Sequence, residues 1–385
     1  MDNSSRHICF FTGKRGGFTH LIPILERLQE TDKMEPSVIA ADMHLSDTFG
    51  KTVCEVEKWC KNIHRVHTML HSGDKVARAK SIGVGIISLS ELLERIQPDL
   101  VFALGDRGEV LGFVIAAMEL NIPIAHLFGG DVTQGGVDEP VRHAITKLSN
   151  IHLTSNEESA NRVRKMGEEP WRVHHVGSPV LDLIRAKRFS TPEQVERRFE
   201  LDLTKPIILL LQHSVTWQVE DAERQIRESL EAIDSLGFQT VAVYPCSDPG
   251  FEAVIGVLEA YRTKPYFSLY KNIDFADFWG LMNVASVLVG NSSAGVMETA
   301  SFRLPCVNVG IRQEGRLRAD NVMDVDHDRD QIVEAIRKAV DDEDFKANVN
   351  KMVSPYGDGR AAERIVSVLK NVRIDDTLLR KRLVF

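Results

Sequence analysis

Nowhere in this 385-residue chain do about 18 apolar residues run together, the length a helix needs to cross a bilayer. A spanning helix is therefore excluded. The opening stretch "MDNSSRHICFFTG" holds only a short apolar run between polar flanks, unlike a secretory leader. A cytoplasmic protein without a membrane partner is expected. Cysteine is scarce: Cys9, Cys54, Cys60, Cys246 and Cys306 are scattered, odd in number and without metal-ligand spacing. They read as reduced, buried thiols, with no metal site. Positive charge is not in excess either, since 47 Lys and Arg stand against 55 Asp and Glu, a formal net charge of -8. That balance excludes the broad basic surface of a nucleic-acid binder and leaves room for a local anion pocket. No Gly-x-Gly-x-x-Gly follows the first apolar run and no Gly-Lys-Ser/Thr loop occurs, so the fingerprints of NAD and ATP use are missing. No cofactor is expected.

The chain does contain ample core material, with 43% hydrophobic residues. At about 150 residues per domain its length suggests two domains or three. Short apolar runs alternate with amphipathic stretches, the pattern of β-α-β units around a parallel sheet. In the first half "HICFFTG", "PSVIAA", "DLVFALG", "IPIAHLF", "IHLTS" and "RVHHVG" read as strands, and "FTHLIPILERLQE" and "EVLGFVIAAMEL" have helical spacing. The alternation breaks at about 181–205, where a charged stretch predicts a helical linker, then resumes with "PIILLLQ", "TVAVYP", "YFSLY", "SVLVG" and "CVNVG". The fold class expected is α/β, with two doubly wound domains. The boundaries expected are 1–183 for the first and 184–365 for the second, with a C-terminal helix at about 366–385 packing back on the first.

Nearly every polar cluster falls directly after one of these strands: "TGKRGGF", "LGDRGE", "GGDVTQGGVDE", "QHSVTW", "PCSDPG" and "GNSSAGVME". In doubly wound sheets ligands bind beyond the carboxyl ends of the strands, so the six clusters predict a ligand cleft between the domains. The sharpest is Gly290, Asn291, Ser292, Ser293, Ala294 and Gly295, followed by a helix expected from about Val296. Small residues let backbone amides approach a phosphate, and serine hydroxyls and a helix N-terminus add to its attraction. Glu298, one turn on, suits the diol of a ribose. The same stretch also fits an Asn-Ser helix cap with an exposed glutamate. "GGDVTQGGVDEPVRHAITKL" places three carboxylates, an arginine and a histidine within a short span, a density that suits either acid–base chemistry or a solvated loop and helix N-terminus.

Taken together, "GNSSAGVMETASFRLPCVNVGIRQEGR", "LGDRGE" and "GGDVTQGGVDEPVRHAITKLS" resemble the hydrolysing UDP-N-acetylglucosamine 2-epimerases, most closely the sialic-acid and related nonulosonic-acid branch. The resemblance implies a GT-B fold, two Rossmann-like domains with the nucleotide held by the second across an interdomain cleft. It implies conversion of UDP-GlcNAc and water to ManNAc and UDP, by loss of the diphosphate at carbon 1 and the hydrogen at carbon 2 to give a 2-acetamidoglucal, followed by hydration. Under it Asp106, Asp131 and Glu139 take catalytic acid and base positions and His213 lies near the diphosphate. Arg15, Arg142, His143, Gly290, Asn291, Ser292, Ser293, Gly295, Glu298, Arg312 and Arg316 take substrate-binding positions. Each residue also has a plain structural reading. Asp106 could cap a helix, Glu139 could answer a helix dipole, Arg142 and His143 could orient a carboxylate or pack, and Arg312 and Arg316 could form surface ion pairs.

Two departures from the family's pattern bear on the sugar. Gly17 stands where the loop after the first strand usually carries an acid, and Asp131 stands where glutamate is usual. A UDP-2,4-diacetamido-2,4,6-trideoxy sugar or a GDP sugar is therefore an alternative substrate for the same chemistry. A GT-B glycosyltransferase and an inactive nucleotide-sugar sensor are further readings. The partner expected is the nucleotide sugar, with self-association to a homodimer or homotetramer.

Overall fold

A computed structural model describes residues 5–70 and 72–384. The chain forms two compact units, one of residues 1–132, 137–183 and 356–385, the other of residues 133–136 and 184–355.

The first unit is built on a seven-stranded sheet of β1 (Arg6–Thr12), β2 (Met34–Ala41), β3 (Ile63–Val66), β4 (Leu100–Leu104), β5 (Ile124–Leu127), β6 (Ile151–Thr154) and β7 (Val173–His175). The strand order is β3-β2-β1-β4-β5-β6-β7, and every pairing is parallel, for instance Ile8 opposite both Pro36 and Leu100. Its central strands are buried on both faces, which is why "ICFF" and "LVFA" read as unbroken apolar runs. Cys9, Phe11, Ile39, Val101 and Ala103 pack against Phe113 and Val114 of the helix Gly108–Glu119.

The second unit repeats the plan with six parallel strands: β8 (Ile207–Leu211), β9 (Gln239–Val243), β10 (Phe267–Tyr270), β11 (Val287–Gly290), β12 (Cys306–Val309) and β13 (Val322–Val325). Their order is β10-β9-β8-β11-β12-β13. Ile208, Leu210, Val287, Val289 and Val307 form its core with Ile226 and Ile336 from flanking helices. In each sheet the strand order reverses once, at β1/β4 and at β8/β11. Such switch points leave a crevice at the strands' carboxyl ends.

Four expectations need correction. β3 and β13 were not foreseen, and both are edge strands whose burial is incomplete, so neither shows a continuous apolar run. The chain returns to the first unit at Tyr356, earlier than the expected 366: Ser178 N–H donates to Tyr356 O at 2.8 Å, and the Asp182 carboxylate accepts from the Ala361 and Ala362 amides at 2.9 Å each, capping the helix Ala361–Asn371. Residues 133–136, expected in the first domain, belong to the second, where Gln134 N–H donates to Glu314 O at 3.0 Å. All five cysteines are free thiols, but Cys54 is exposed and Cys246 half-buried. No described helix is long and apolar enough to cross a membrane.

Candidate functional site

In the first unit the acids converge on one buried cation. Arg142, fully buried in the helix Asp138–Leu148, sends Nη1 to Glu139 Oε2 and to the Asp131 backbone O, both at 3.0 Å, and pairs through Nη2 with Asp106 Oδ2. Burial alone would lower its pKa, but Asp106, Asp131, Asp138 and Glu139 outweigh that and raise it. Arg142, expected at the substrate, has no exposed surface in the ligand-free chain and is engaged by these carboxylates. Glu139 Oε1 faces His143 Nε2 at 3.1 Å. Asp106 follows Gly105, whose carbonyl accepts a hydrogen bond from His126 Nε2 at 2.7 Å. Burial drives the His126 ring down to about 3, so it stays neutral and acts as a fixed support for that loop.

Asp131 is placed differently. Gly130 adopts φ +77, and a Cβ there would lie 2.4 Å from Ser159 O, so only glycine lets the chain approach the helix Glu157–Lys165 this closely. The approach brings Asp131 Oδ1 within reach of two hydroxyl donors, Ser155 Oγ at 2.5 Å and Ser159 Oγ at 2.7 Å. Oδ2 is buried and has no hydrogen-bond partner among the described residues. A buried carboxylate oxygen left unmatched is costly.

A further charged cluster lies beside the loop after β1. Glu109 Oε1 accepts from Arg107 Nε at 3.0 Å and Oε2 pairs with Arg78, whose Nη1 reaches Asp42 Oδ2 at 2.9 Å. Burial opposes ionisation of Glu109, but Arg107 and Arg78 prevail and hold its carboxyl at about 2. A Cβ on Gly13 would meet Glu109 Cγ at 2.8 Å, so the loop rests directly on this carboxylate. Arg15 begins the helix Arg15–Gln29 and is half-buried. A side chain at Gly17 would meet only ordinary contacts, 3.6 Å from Lys14 and 3.7 Å from Leu104, so packing does not exclude an acid there. Asp42, Arg78, Arg107, Glu109, Ser155 and Ser159 were not singled out from the sequence. Only Arg107 and Glu109 lay within a quoted motif, "LGDRGE".

In the second unit Asn291 ties the two switch-point loops together: its Oδ1 accepts from His213 N–H at 2.7 Å and its Nδ2 donates to His213 O at 2.9 Å. Gly290, at φ +131, is obligatory, because a Cβ would lie 2.2 Å from Leu211 O. His213 Nδ1 accepts from Cys246 N–H at 2.9 Å, so the proton of the neutral ring sits on Nε2. The helix after the loop starts at Ser293, not Val296, because the Ser292 hydroxyl accepts from Ala294 N–H at 3.3 Å. It runs only to Met297, too short for a large dipole.

Arg316 is buried, donates through Nη1 to Met297 Sδ at 3.4 Å, leaves Nε without a partner, and has no carboxylate beside it among the described residues. Arg312 is committed, with Nη2 on Asp248 Oδ2 at 3.0 Å and Nη1 on Asn291 O at 3.2 Å. Glu298 Oε2 accepts from the Trp279 indole at 2.6 Å. Burial pushes the Glu298 carboxyl up to about 7, against the opposing Trp279 bond.

The family described as UDP-N-acetylglucosamine 2-epimerase matches residues 26–370. The chain belongs to that family. Among its relatives, the UDP-N,N'-diacetylbacillosamine 2-epimerase (hydrolyzing) of Legionella pneumophila is 35% identical over 98% of both chains. The GDP/UDP-N,N'-diacetylbacillosamine 2-epimerase (hydrolyzing) of Campylobacter jejuni is 31% identical over 99% of both. The fold matches that of the UDP-GlcNAc 2-epimerase of Neisseria meningitidis bound to UDP-GlcNAc, with TM-score 0.79 and 19% identity over 95% of this chain and 100% of that one. The two parallel units are thus those of a GT-B fold, and this 2-epimerase is an enzyme of the hydrolysing, nucleotide-sugar class. Of the expected positions, Asp106, Asp131, Glu139, Arg142 and His143 gather in the first unit, and His213, Gly290, Asn291, Ser292, Ser293, Gly295, Glu298, Arg312 and Arg316 lie on or beside the switch-point loops of the second.

Proposed function

We propose that this 2-epimerase acts on UDP-2,4-diacetamido-2,4,6-trideoxyglucose, releasing UDP and the 2-epimeric diacetamido sugar, and that the second unit holds the nucleotide while the first supplies the acid–base groups. The observation that carries the chemistry is Asp131: one oxygen satisfied by two serine hydroxyls, the other buried and unmatched. A hydrogen on carbon 2 with no adjacent carbonyl is weakly acidic, so its removal needs a positioned carboxylate together with stabilisation of the departing diphosphate. Asp131 Oδ2 takes that proton, the C–H electrons form the C1–C2 double bond, and the C1–O bond breaks toward UDP. Arg316 and the His213 Nε2–H meet the diphosphate charge. Glu139 or Asp106, aligned by Arg142 and carrying a proton taken up from solvent, then protonates carbon 2 from the opposite face. Water adds to the resulting oxocarbenium at carbon 1, the proton that water loses passes to the carboxylate that gave up its own, and Asp131 returns its proton to solvent.

The choice of sugar is supported by the two relatives above 30% identity, both named for diacetylbacillosamine nucleotides. It is supported also by the absence of an acid at Gly17, which packing does not impose. UDP-GlcNAc, the substrate first expected, is the competing reading. Nucleotide sugars do not cross membranes unaided, which supports a cytoplasmic location and a place in sialic or related nonulosonic-acid synthesis. Self-association as a homodimer or homotetramer completes the proposal.

The test is nucleoside diphosphate release from UDP-diacetylbacillosamine, its GDP counterpart and UDP-GlcNAc, each without acceptor. The highest kcat/KM is expected for the first. A higher value for UDP-GlcNAc overturns the sugar assignment and leaves the reaction class standing. Release only with an acceptor would mean a glycosyltransferase, and tight binding without release a sensor.

A further inference from the structure

The loop after β1 runs into two glycines that the chain itself does not require. Gly16 and Gly17 sit in the first turn of the helix Arg15–Gln29, where glycine costs helix stability. Neither has a left-handed backbone. A Cβ on Gly16 would meet nothing within 4 Å, and one on Gly17 would make only ordinary contacts with Lys14 and Leu104. With neither conformation nor packing demanding glycine, what the pair provides is open space. Gly16 is exposed, and Gly17 lies against Leu104, the last residue of β4, just before Gly105 and Asp106. The space therefore borders the loop that holds Asp106.

Lys14 stands beside that space. It precedes the helix with an extended backbone, φ -152 and ψ 151, and its Cγ would lie 3.6 Å from a Cβ at Gly17. Its backbone oxygen is engaged, accepting from Phe18 N–H at 3.1 Å and from Thr12 Oγ1 at 3.4 Å. Its ammonium makes no ion pair and no hydrogen bond among the described residues, whereas Arg78, Arg107 and Arg142 of the same unit are each held by carboxylates. Half-buried, Lys14 is close enough to Glu109 for its charge to help keep that carboxyl ionised. The preceding residue is fixed from two sides, since Met43 N–H donates to Gly13 O at 3.0 Å and Gly13 rests on Glu109. An ammonium placed in this way, with three N–H donors and no acceptor, calls for an oxygen acceptor on a ligand.

We propose that Lys14 determines sugar specificity: its ammonium donates to the carbonyl oxygen of the 4-acetamido group, which the space over Gly16 and Gly17 admits. The proposal rests on the reading of the chain as a nucleotide-sugar 2-epimerase and names the residue that tells a 4-acetamido sugar from a 4-hydroxyl one. A carboxylate at position 17, where the family's pattern usually has an acid, accepts from a hydroxyl and repels a carbonyl oxygen. Glycine there with a lysine beside it reverses that preference, favouring a larger group that ends in an acceptor. The acetamido group at carbon 2 is common to both sugars, so it is not the group discriminated.

The test is the ratio of kcat/KM for UDP-diacetylbacillosamine to that for UDP-GlcNAc, since only the first carries the 4-acetamido group. In Lys14→Met the ratio should fall roughly ten- to hundredfold, the worth of a hydrogen bond to a charged group. Lys14→Arg, which keeps a charged donor, should retain most of it. Gly17→Asp, which packing admits and which would draw the Lys14 ammonium into an ion pair, should lower the ratio in the same direction. The Kd for UDP, which lacks the hexose, should be the same in Lys14→Met as in the wild type. Equal losses on the two nucleotide sugars, or weaker binding of UDP, would assign Lys14 to the diphosphate and overturn the proposal. The change in ratio decides on Lys14 whichever sugar the wild type prefers, so a wild type that prefers UDP-GlcNAc overturns only the sugar assignment made above. A wild type with no turnover of UDP-diacetylbacillosamine overturns both.

Discussion

Ser159 Oγ donates to Asp131 Oδ1 at 2.7 Å, and the other oxygen of that carboxylate is buried without a partner among the described residues. With Ser155 on the same oxygen, the carboxylate is held by one end and presented by the other. Removing both hydroxyls, in Ser155→Ala/Ser159→Ala, should lower kcat by about tenfold or more through lost positioning, with KM little changed. Asp131→Asn should cost roughly 10²- to 10⁴-fold in kcat, the range for a positioned acid–base group.

Arg142 is the cation around which Asp106, Glu139 and the Asp131 carbonyl are ordered. Replacing it by methionine leaves carboxylates facing one another in a buried place. A loss of about 3–5 kcal/mol of stability is expected, the usual result of removing one partner of a buried ion pair. Arg142→Lys keeps the charge but not the fork and should lie between. Urea unfolding with unchanged slope measures both.

Arg316 and Glu298 make opposite predictions for the ligand-free protein and its complex. Because Arg316 is buried with no carboxylate beside it among the described residues, Arg316→Met should leave the ligand-free fold as stable as the wild type or more so, while raising the Kd for UDP at least tenfold. Glu298, with its carboxyl near 7 in the fold, stabilises the protein fully only below its unfolded value of about 4.5, and that contribution is lost as pH rises through 7. Relative to wild type, Glu298→Gln should therefore gain stability between pH 5 and pH 8, by on the order of 1–3 kcal/mol. Thermal melts across that interval, without nucleotide, give the sign. Glu298→Ala should weaken UDP binding by roughly 1 to 3 kcal/mol, as expected for a lost charged hydrogen-bond partner.

Much of this arrangement can be read from the sequence, for physical reasons that also mark where the reading fails. Central strands such as β1, β4, β8 and β11 are buried on both faces, so each announces itself as an apolar run ending in a polar cluster. The edge strands β3 and β13 are half exposed and mix polar with apolar residues in four positions, too few for a pattern to emerge. The acids Asp106, Asp131 and Glu139 stand in quotable motifs. Arg142 stands in one of them, but Ser155 and Ser159 meet Asp131 across 24 and 28 positions, and Arg78 reaches the separate carboxylates Asp42 and Glu109 across 36 and 31. Such pairings follow from the strand order, β1 beside β4 and β5 beside β6, which composition does not reveal. The burial of Arg142 is likewise a product of packing, because the helix periodicity that would place it inward is shared by residues facing out.

Elimination at carbon 2 is the central claim, and solvent labelling tests it most directly. Turnover of UDP-diacetylbacillosamine in deuterium oxide, followed by NMR of the released sugar, should show one deuterium at carbon 2 and inverted configuration there. Asp131→Asn and Glu139→Gln should each slow its appearance in proportion to turnover. A released sugar bearing its original hydrogen at carbon 2 with configuration retained would mean simple hydrolysis of the glycosyl phosphate bond, and would contradict the assignment of the Asp131 carboxylate as a base.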